Sequence, residues 1–220
     1  MSDTGTAVTL DELVLADSPE RWSALGFELD SDRLQLGTVS LRLAGADAGR
    51  GIVSWTLRGA SSTELDGLPT ALSDDGEPRE PGAAHANGIG AIDHVVAMTP
   101  ALDRSVQALK DAGLDLRRIR EEPTPAGAPR QAFFRLGAVI LEVVQEPEHV
   151  IAAREAGADR PARLWGLALL APDLDRTVAA LGECVGEPRD AVQHGRRIAT
   201  IKCSAGLAVP VALITPKRSA

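Results

Sequence analysis

The chain has 220 residues, 44% of them hydrophobic and 25% charged, enough to bury a sizeable core in one large domain or two smaller ones. A formal net charge of −8 excludes a general nucleic-acid surface, because phosphate binding depends on clustered Lys and Arg. Cys184 and Cys203, without a CxxC pair, exclude a disulfide framework and point to a reducing, cytoplasmic setting; the absence of a bilayer-length apolar run, and of a secretion signal in Met1 to Thr6, argues against a membrane partner.

In chain order, residues 8–45 read VTLDELVLADSPERWSALGFELDSDRLQLGTVSLRLAG: a strand, a short helix begun near Ser18-Pro19, an extended stretch and a hairpin around Gly37. Residues 51–90 start a second copy of that plan. In it, Trp55 and the GEPR from Gly76 stand at the spacing that separates Trp165 from the GEPR at Gly186. After Glu80 the chain turns to PGAAHANGIG, too short and too rich in Gly and Ala for a hairpin, so this copy is expected to be truncated. Residues 91–147 give the strand IDHVVAMT, a Pro turn, the amphipathic helix DRSVQALKDAGLDL and the hairpin QAFFRLGAVILEVVQEP. Residues 163–216 repeat it as LWGLALL, DRTVAALGECVGEP and RIATIKCSAGLAVPVALITP, after a polar, Pro-bounded connector, residues 146–163.

Strand-helix-strand-strand-strand repeats of this length, with IDHVV as a first strand and ILEVV as a fourth, resemble the vicinal oxygen chelate superfamily, which includes glyoxalase-like and bleomycin-resistance-like proteins. The resemblance spans nearly the whole chain. It implies an α+β fold of tandem βαβββ modules, three complete and one truncated, with curved mixed sheets enclosing a cleft. An N-terminal half, residues 1–90, would hold modules 8–45 and 51–90, and a C-terminal half, residues 91–220, would hold modules 91–147 and 163–216. Glyoxalases, epimerases and extradiol dioxygenases of this superfamily hold a divalent metal on the first and fourth strands of their modules, whereas the drug-binding members need none. His94 and Glu142 match those metal-ligand positions. Gly166 and Val211 stand there in the last module, and Glu12 and Arg42 in the first.

The residues themselves sharpen this. If Gly137-Ala138 forms a two-residue turn, Glu142 faces Phe133 and Gln131 faces Val144, so all four share one sheet face. Phe133 is then assigned to the cleft and Phe134 to the core. The same count sets Lys202 opposite Val211, where its ammonium would serve as an anion clamp, unless it is an exposed edge lysine. Trp165 is a further candidate for the ligand wall, with core packing as its competing reading. His85, His149 and His194 are expected to be solvated, with the His85 loop placed to fold over the cleft mouth. Cys184, late in a helix, and Cys203, in a strand, read as small apolar fillers.

Two functional readings result. In the first, the metal set is incomplete, no cofactor is held, and a small molecule binds in the cleft against Gln131, Phe133, Trp165 and Lys202. In the second, a lyase, isomerase or dioxygenase uses His94 and Glu142 as partial ligands of Zn²⁺, Ni²⁺, Mn²⁺ or Fe²⁺, or as a catalytic acid–base pair. A chain with this many modules could close its own cleft, so monomer and homodimer both stand.

Overall fold

The computed structural model describes residues 7–73, 79–125 and 127–217. Met1 to Thr6 and residues 76–78 of the first GEPR lie outside them. Among the described residues there are thirteen strands and four α-helices. The strands form a five-stranded sheet and an eight-stranded sheet, both mixed.

The first module contributes β1 (Thr9–Leu15), α1 (Pro19–Ala24), β2 (Arg33–Leu36) and β3 (Val39–Leu43). Where its second strand would run, between α1 and β2, there is among the described residues only a bridge between Asp30 and Arg33, so this module has three strands. The second module is shorter still. It keeps β4 (Ile52–Arg58) and β5 (Thr70–Leu72), with no helix between them. The five strands lie in the order β2-β3-β1-β4-β5.

The third and fourth modules carry the whole plan. The third has β6 (Ala91–Thr99), α2 (Leu102–Asp111), β7 (Asp115–Arg120), β8 (Gln131–Leu136) and β9 (Val139–Gln145). The connector that follows contains a short helix, α3 (Glu148–Ala152). The fourth module has β10 (Arg163–Leu170), α4 (Leu174–Leu181), β11 (Arg189–Asp190), β12 (Arg197–Thr200) and β13 (Val211–Ile214). Their sheet runs β11-β12-β13-β10-β6-β9-β8-β7, so each module sets its last strand beside its first.

Helical spacing explains why α2 and α4 form. Leu102, Val106 and Leu109 recur at helical spacing on the buried side of α2, as do Leu174, Thr177 and Leu181 on α4. Fully burying each leucine contributes about 1.5–3 kcal/mol. At the start of α4 the Asp173 carboxylate accepts the Arg176 backbone N–H at 3.0 Å.

The described residues group into two compact units, neither continuous in sequence. One comprises those within 1–11, 54–76 and 95–165, and the other those within 12–53, 77–94 and 166–220. These units and the sequence halves 1–90 and 91–220 are different partitions of the chain.

The loop through His85 departs from expectation. His85 is buried rather than solvated: its Nδ1 accepts the Glu28 N–H at 3.0 Å and its Nε2 lies 3.0 Å from the Gln35 carbonyl. A carbonyl only accepts, so Nε2 carries the proton. Asn87 donates to the Leu25 carbonyl at 2.8 Å, and Gly82 and Gly37 are joined backbone to backbone at 2.9 Å. The Gly/Ala-rich segment thus serves the first module's backbone as the missing strand would. His149 and His194 are exposed as expected. Cys184 and Cys203 lie in single 3₁₀ turns, and Cys203 is exposed rather than packed.

Candidate functional site

In the unit containing residues 95–165, β8 and β9 pair in the register that a two-residue turn at Gly137 requires. Phe133 stands opposite Glu142 and Gln131 opposite Val144. Gly137 has φ +66°, the left-handed conformation that a tight hairpin turn demands. On the outer side, β7 sets Arg118 opposite Phe133 and Arg120 opposite Gln131. Residues directly opposite share a face. The resulting face has two rows across three strands, Arg118–Phe133–Glu142 and Arg120–Gln131–Val144.

These side chains also meet. Gln131 is buried, and its amide Nε2 donates to Glu142 Oε1. The Arg118 guanidinium lies 5.0 Å from the centre of the Phe133 ring, a cation–π distance. Val144 packs with Val96 and Ala128 in an apolar floor, with Met98 against it. Phe134, one residue along β8, is fully buried, whereas Phe133 is half-buried. The carboxylate therefore sits beside an aromatic ring and an apolar floor, oriented by an amide donor. Among the described residues Arg118 has no carboxylate partner.

In the other unit, His94 belongs to a charge network. Its Nδ1 lies 2.8 Å from Asp93 Oδ2, so any further bond of the ring runs through Nε2. Asp93 is also gripped by Arg196, whose Nη2 and Nη1 donate to Oδ1 at 2.6 Å and Oδ2 at 3.2 Å. Burial would push the Asp93 carboxyl up, but the His94 and Arg196 hydrogen bonds and the charge of Arg196 hold it below the ordinary aspartate value. Arg196, 4% exposed, spends its remaining donors on the Gln193 amide and the Thr215 carbonyl, both at 2.5 Å.

Glu12 is committed to structure as well. Arg33 bonds it directly, Arg42 stands 4.0 Å away, and Arg33 also reaches Ser40 at 3.2 Å.

The fourth module offers nothing comparable. A Cβ on Gly166 would lie 2.9 Å from the Pro210 backbone carbonyl, which itself accepts the Leu167 N–H at 2.9 Å. No side chain fits there without moving that carbonyl, and Val211 is buried and apolar. Among the described residues no three His, Cys, Asp or Glu side chains gather as a metal-binding group.

Lys202 is not where the hairpin count put it. Thr200 pairs with Ala212, and the Ile201 N–H donates to the Val211 carbonyl, which shifts the register by one residue. The cause is the loop, where a 3₁₀ turn at Cys203–Ala205 and Gly206 at φ +75° replace a two-residue turn. Lys202 leaves the strand and is exposed. Trp165 is exposed on β10, while Trp55 is fully buried and donates to Thr70 at 2.7 Å. Sequence reasoning missed Arg118 and Arg120, which the strand alternation LRRIR could have placed beside Phe133 and Gln131.

The sequence matches no family model, and no curated protein matches it. Among solved structures, a xylose isomerase-like TIM barrel/4-hydroxyphenylpyruvate dioxygenase fusion protein is similar at 15% identity with a TM-score of 0.61, over 96% of this chain and 49% of that one. Methylmalonyl-CoA epimerase from Mycobacterium tuberculosis is similar at 19% identity and a TM-score of 0.48, over 60% of this chain and 92% of that one. For Streptomyces coelicolor methylmalonyl-CoA epimerase the values are 21% and 0.44, over 58% and 97%. The likeness to the fusion protein covers nearly the whole chain, and both complete modules set their last strand beside their first. The chain has the vicinal oxygen chelate fold.

Proposed function

We propose that the β7-β8-β9 face binds a small, partly apolar organic anion without a protein-held metal. One observation carries the reading: the Glu142 carboxylate, hydrogen-bonded by Gln131, shares a sheet face with an aromatic ring that the Arg118 guanidinium covers. Phe133, Val96 and Val144 supply apolar contact, and Arg118, with Arg120 beside it, takes over the anion-clamp role first assigned to Lys202. Acid–base turnover by Glu142 is the enzymatic extension of the same site, with a carbon acid of the ligand giving its proton to the carboxylate.

Calorimetric titration with a series of small aromatic and aliphatic carboxylates tests this. At least one should bind, Arg118→Gln should weaken it about tenfold, and Phe133→Ala should weaken the aromatic members most. Deuterium uptake into the ligand in heavy water, lost in Glu142→Gln, would add catalysis. If no carboxylate binds, or both variants bind as the parent does, the reading fails.

The second reading, a metal-dependent lyase, isomerase or dioxygenase, has one observation in its favour: a carboxylate on the Nδ1 of His94, the arrangement that orients a metal-bound imidazole. Elemental analysis of untagged protein and of a His94→Ala, Glu142→Ala double variant decides it. Metal in the parent that vanishes in the variant supports this reading, and metal-free parent after loading with Zn²⁺, Ni²⁺, Mn²⁺ and Fe²⁺ removes it.

A further inference from the structure

The connector after β9 holds a second concentration of charge, apart from the Glu142 face. Glu146 is 1% exposed, its N–H tied to the Thr99 carbonyl at 2.8 Å. Three guanidinium groups surround its carboxylate: Arg160 at 2.6 Å, Arg163 at 3.4 Å and Arg154 at 3.8 Å. Burial pushes the Glu146 carboxyl up, but the Arg160 hydrogen bond and the charges of all three arginines hold it below the ordinary glutamate value. It is therefore ionised at neutral pH and supplies one negative charge against three positive.

Among the described residues no other side chain closes that gap. Asp66 is occupied by Arg104 at 2.7 Å and by Ser105, and the remaining Arg104 donors go to the carbonyls of Ala158 at 2.8 Å and Arg160 at 2.5 Å. Glu148, Glu155 and Asp159 in the same segment are exposed and form no ion pair with these arginines among the described residues. Arg160 makes the shortest of these contacts, and Arg163 hydrogen-bonds the same carboxylate more loosely at 3.4 Å. The side chains of Arg154 and Arg163 are 47% and 41% exposed, so their guanidinium ends also face solvent. The Nε atoms of Arg160 and Arg163 are buried donors without an acceptor among the described residues. Like charges held this close repel one another, and unanswered donors are costly, so the arrangement is complementary to a further anion.

We propose that Arg154, Arg160 and Arg163 form a binding site for a phosphate-class oxyanion. A dianion neutralises the two uncompensated charges, and tetrahedral oxygens accept from several guanidinium forks at once. Glu146 preorganises the arginines and at the same time competes with the ligand for them. The same chemistry serves free phosphate or the phosphate end of a larger molecule.

Calorimetry on the full chain at low ionic strength, with inorganic phosphate, a simple phosphomonoester and acetate, tests the site. Phosphate or the phosphomonoester should bind with acetate silent. Arg154→Gln and Arg163→Gln should each weaken binding about tenfold without changing the melting temperature much, since both side chains are well exposed. Glu146→Gln, provided circular dichroism shows it folded, should bind phosphate more tightly, because it removes the competitor. Tighter binding of the phosphomonoester than of phosphate identifies the anion as part of a larger ligand, and equal binding identifies a free-anion site. Absence of heat with both phosphate ligands at about 10 mM, or unchanged binding in the Arg154→Gln, Arg163→Gln double variant, overturns the proposal.

Discussion

The third and fourth modules share one plan, strand for strand, yet treat chemistry in opposite ways. Glu142 and Gln131 in the third are bonded to each other on a face that also carries Phe133 and Arg118. At the positions matching Glu142 and His94 the fourth has Val211, buried, and Gly166, pressed against the Pro210 carbonyl. Two of its arginines are engaged already: Arg196 by Asp93 of β6, Gln193 and Thr215, and Arg197 by Asp175 at 2.7 Å. Even the residues after the last strands diverge, since Glu146 gathers arginines while Thr215 accepts the backbone N–H of Arg197 at 2.9 Å. Two modules on one plan can thus keep the same strand pairing while the third carries a polar sheet face at positions where the fourth is apolar.

The strongest way to break this comparison is to strip Arg196 of its partner. With Asp93→Ala, a guanidinium 4% exposed loses the carboxylate it is paired with, and stability should fall by about 3–5 kcal/mol in urea denaturation. A loss below about 1 kcal/mol would show that the Gln193 and Thr215 contacts suffice and that the network is not what occupies the fourth module's charge.

A smaller effect is expected at Gly166. Its φ is not in the left-handed region, so Gly166→Ala isolates the steric contact with the Pro210 carbonyl, and the expected loss is about 1–3 kcal/mol by the same measurement. Gly166→His should be no better and should not confer metal binding. A stable Gly166→His that takes up Zn²⁺ would mean the fourth module's ligand position is open after all.

How much of this was legible in the sequence depends on the range of the interactions. Period-two alternation and the tight turn at Gly137 set the register of Gln131, Phe133, Glu142 and Val144, because both signals are local. Lys202 was misplaced because residues 201–210 form a longer loop, and one residue of slip reverses a side chain's face. The burial of His85 was hidden because its partners, Glu28 and Gln35, lie 57 and 50 residues earlier in the chain. The arginines around Glu146 follow no helical or strand period, so only the folded connector brings them together. The third module's complete plan was readable from its pattern, whereas the first module's missing strand was not, since Phe27 to Asp30 carry strand-like residues without a partner strand to pair.

The smallest of the effects separates the ends of the two modules. In the fold the Glu146 carboxyl titrates below its unfolded value, about 4.3, so ionised Glu146 contributes stability that is fully present above that pH. The contribution is lost as pH falls through the folded-state value. Two of its three arginines are more than a third exposed, so solvent screens much of their attraction and the effect should be modest. Melting temperatures of the parent and of Glu146→Gln, measured from pH 6 to pH 3, give the test. The parent should be the more stable of the two at pH 6, and the gap should narrow towards pH 3, because only the parent has this carboxylate to protonate. Thr215→Val, at the matching place in the fourth module, should leave an acid profile parallel to the parent's, since a hydroxyl does not titrate there. If the gap between the parent and Glu146→Gln stays constant with pH, the carboxylate's charge is not what holds the connector, and the contrast between the two modules reduces to packing.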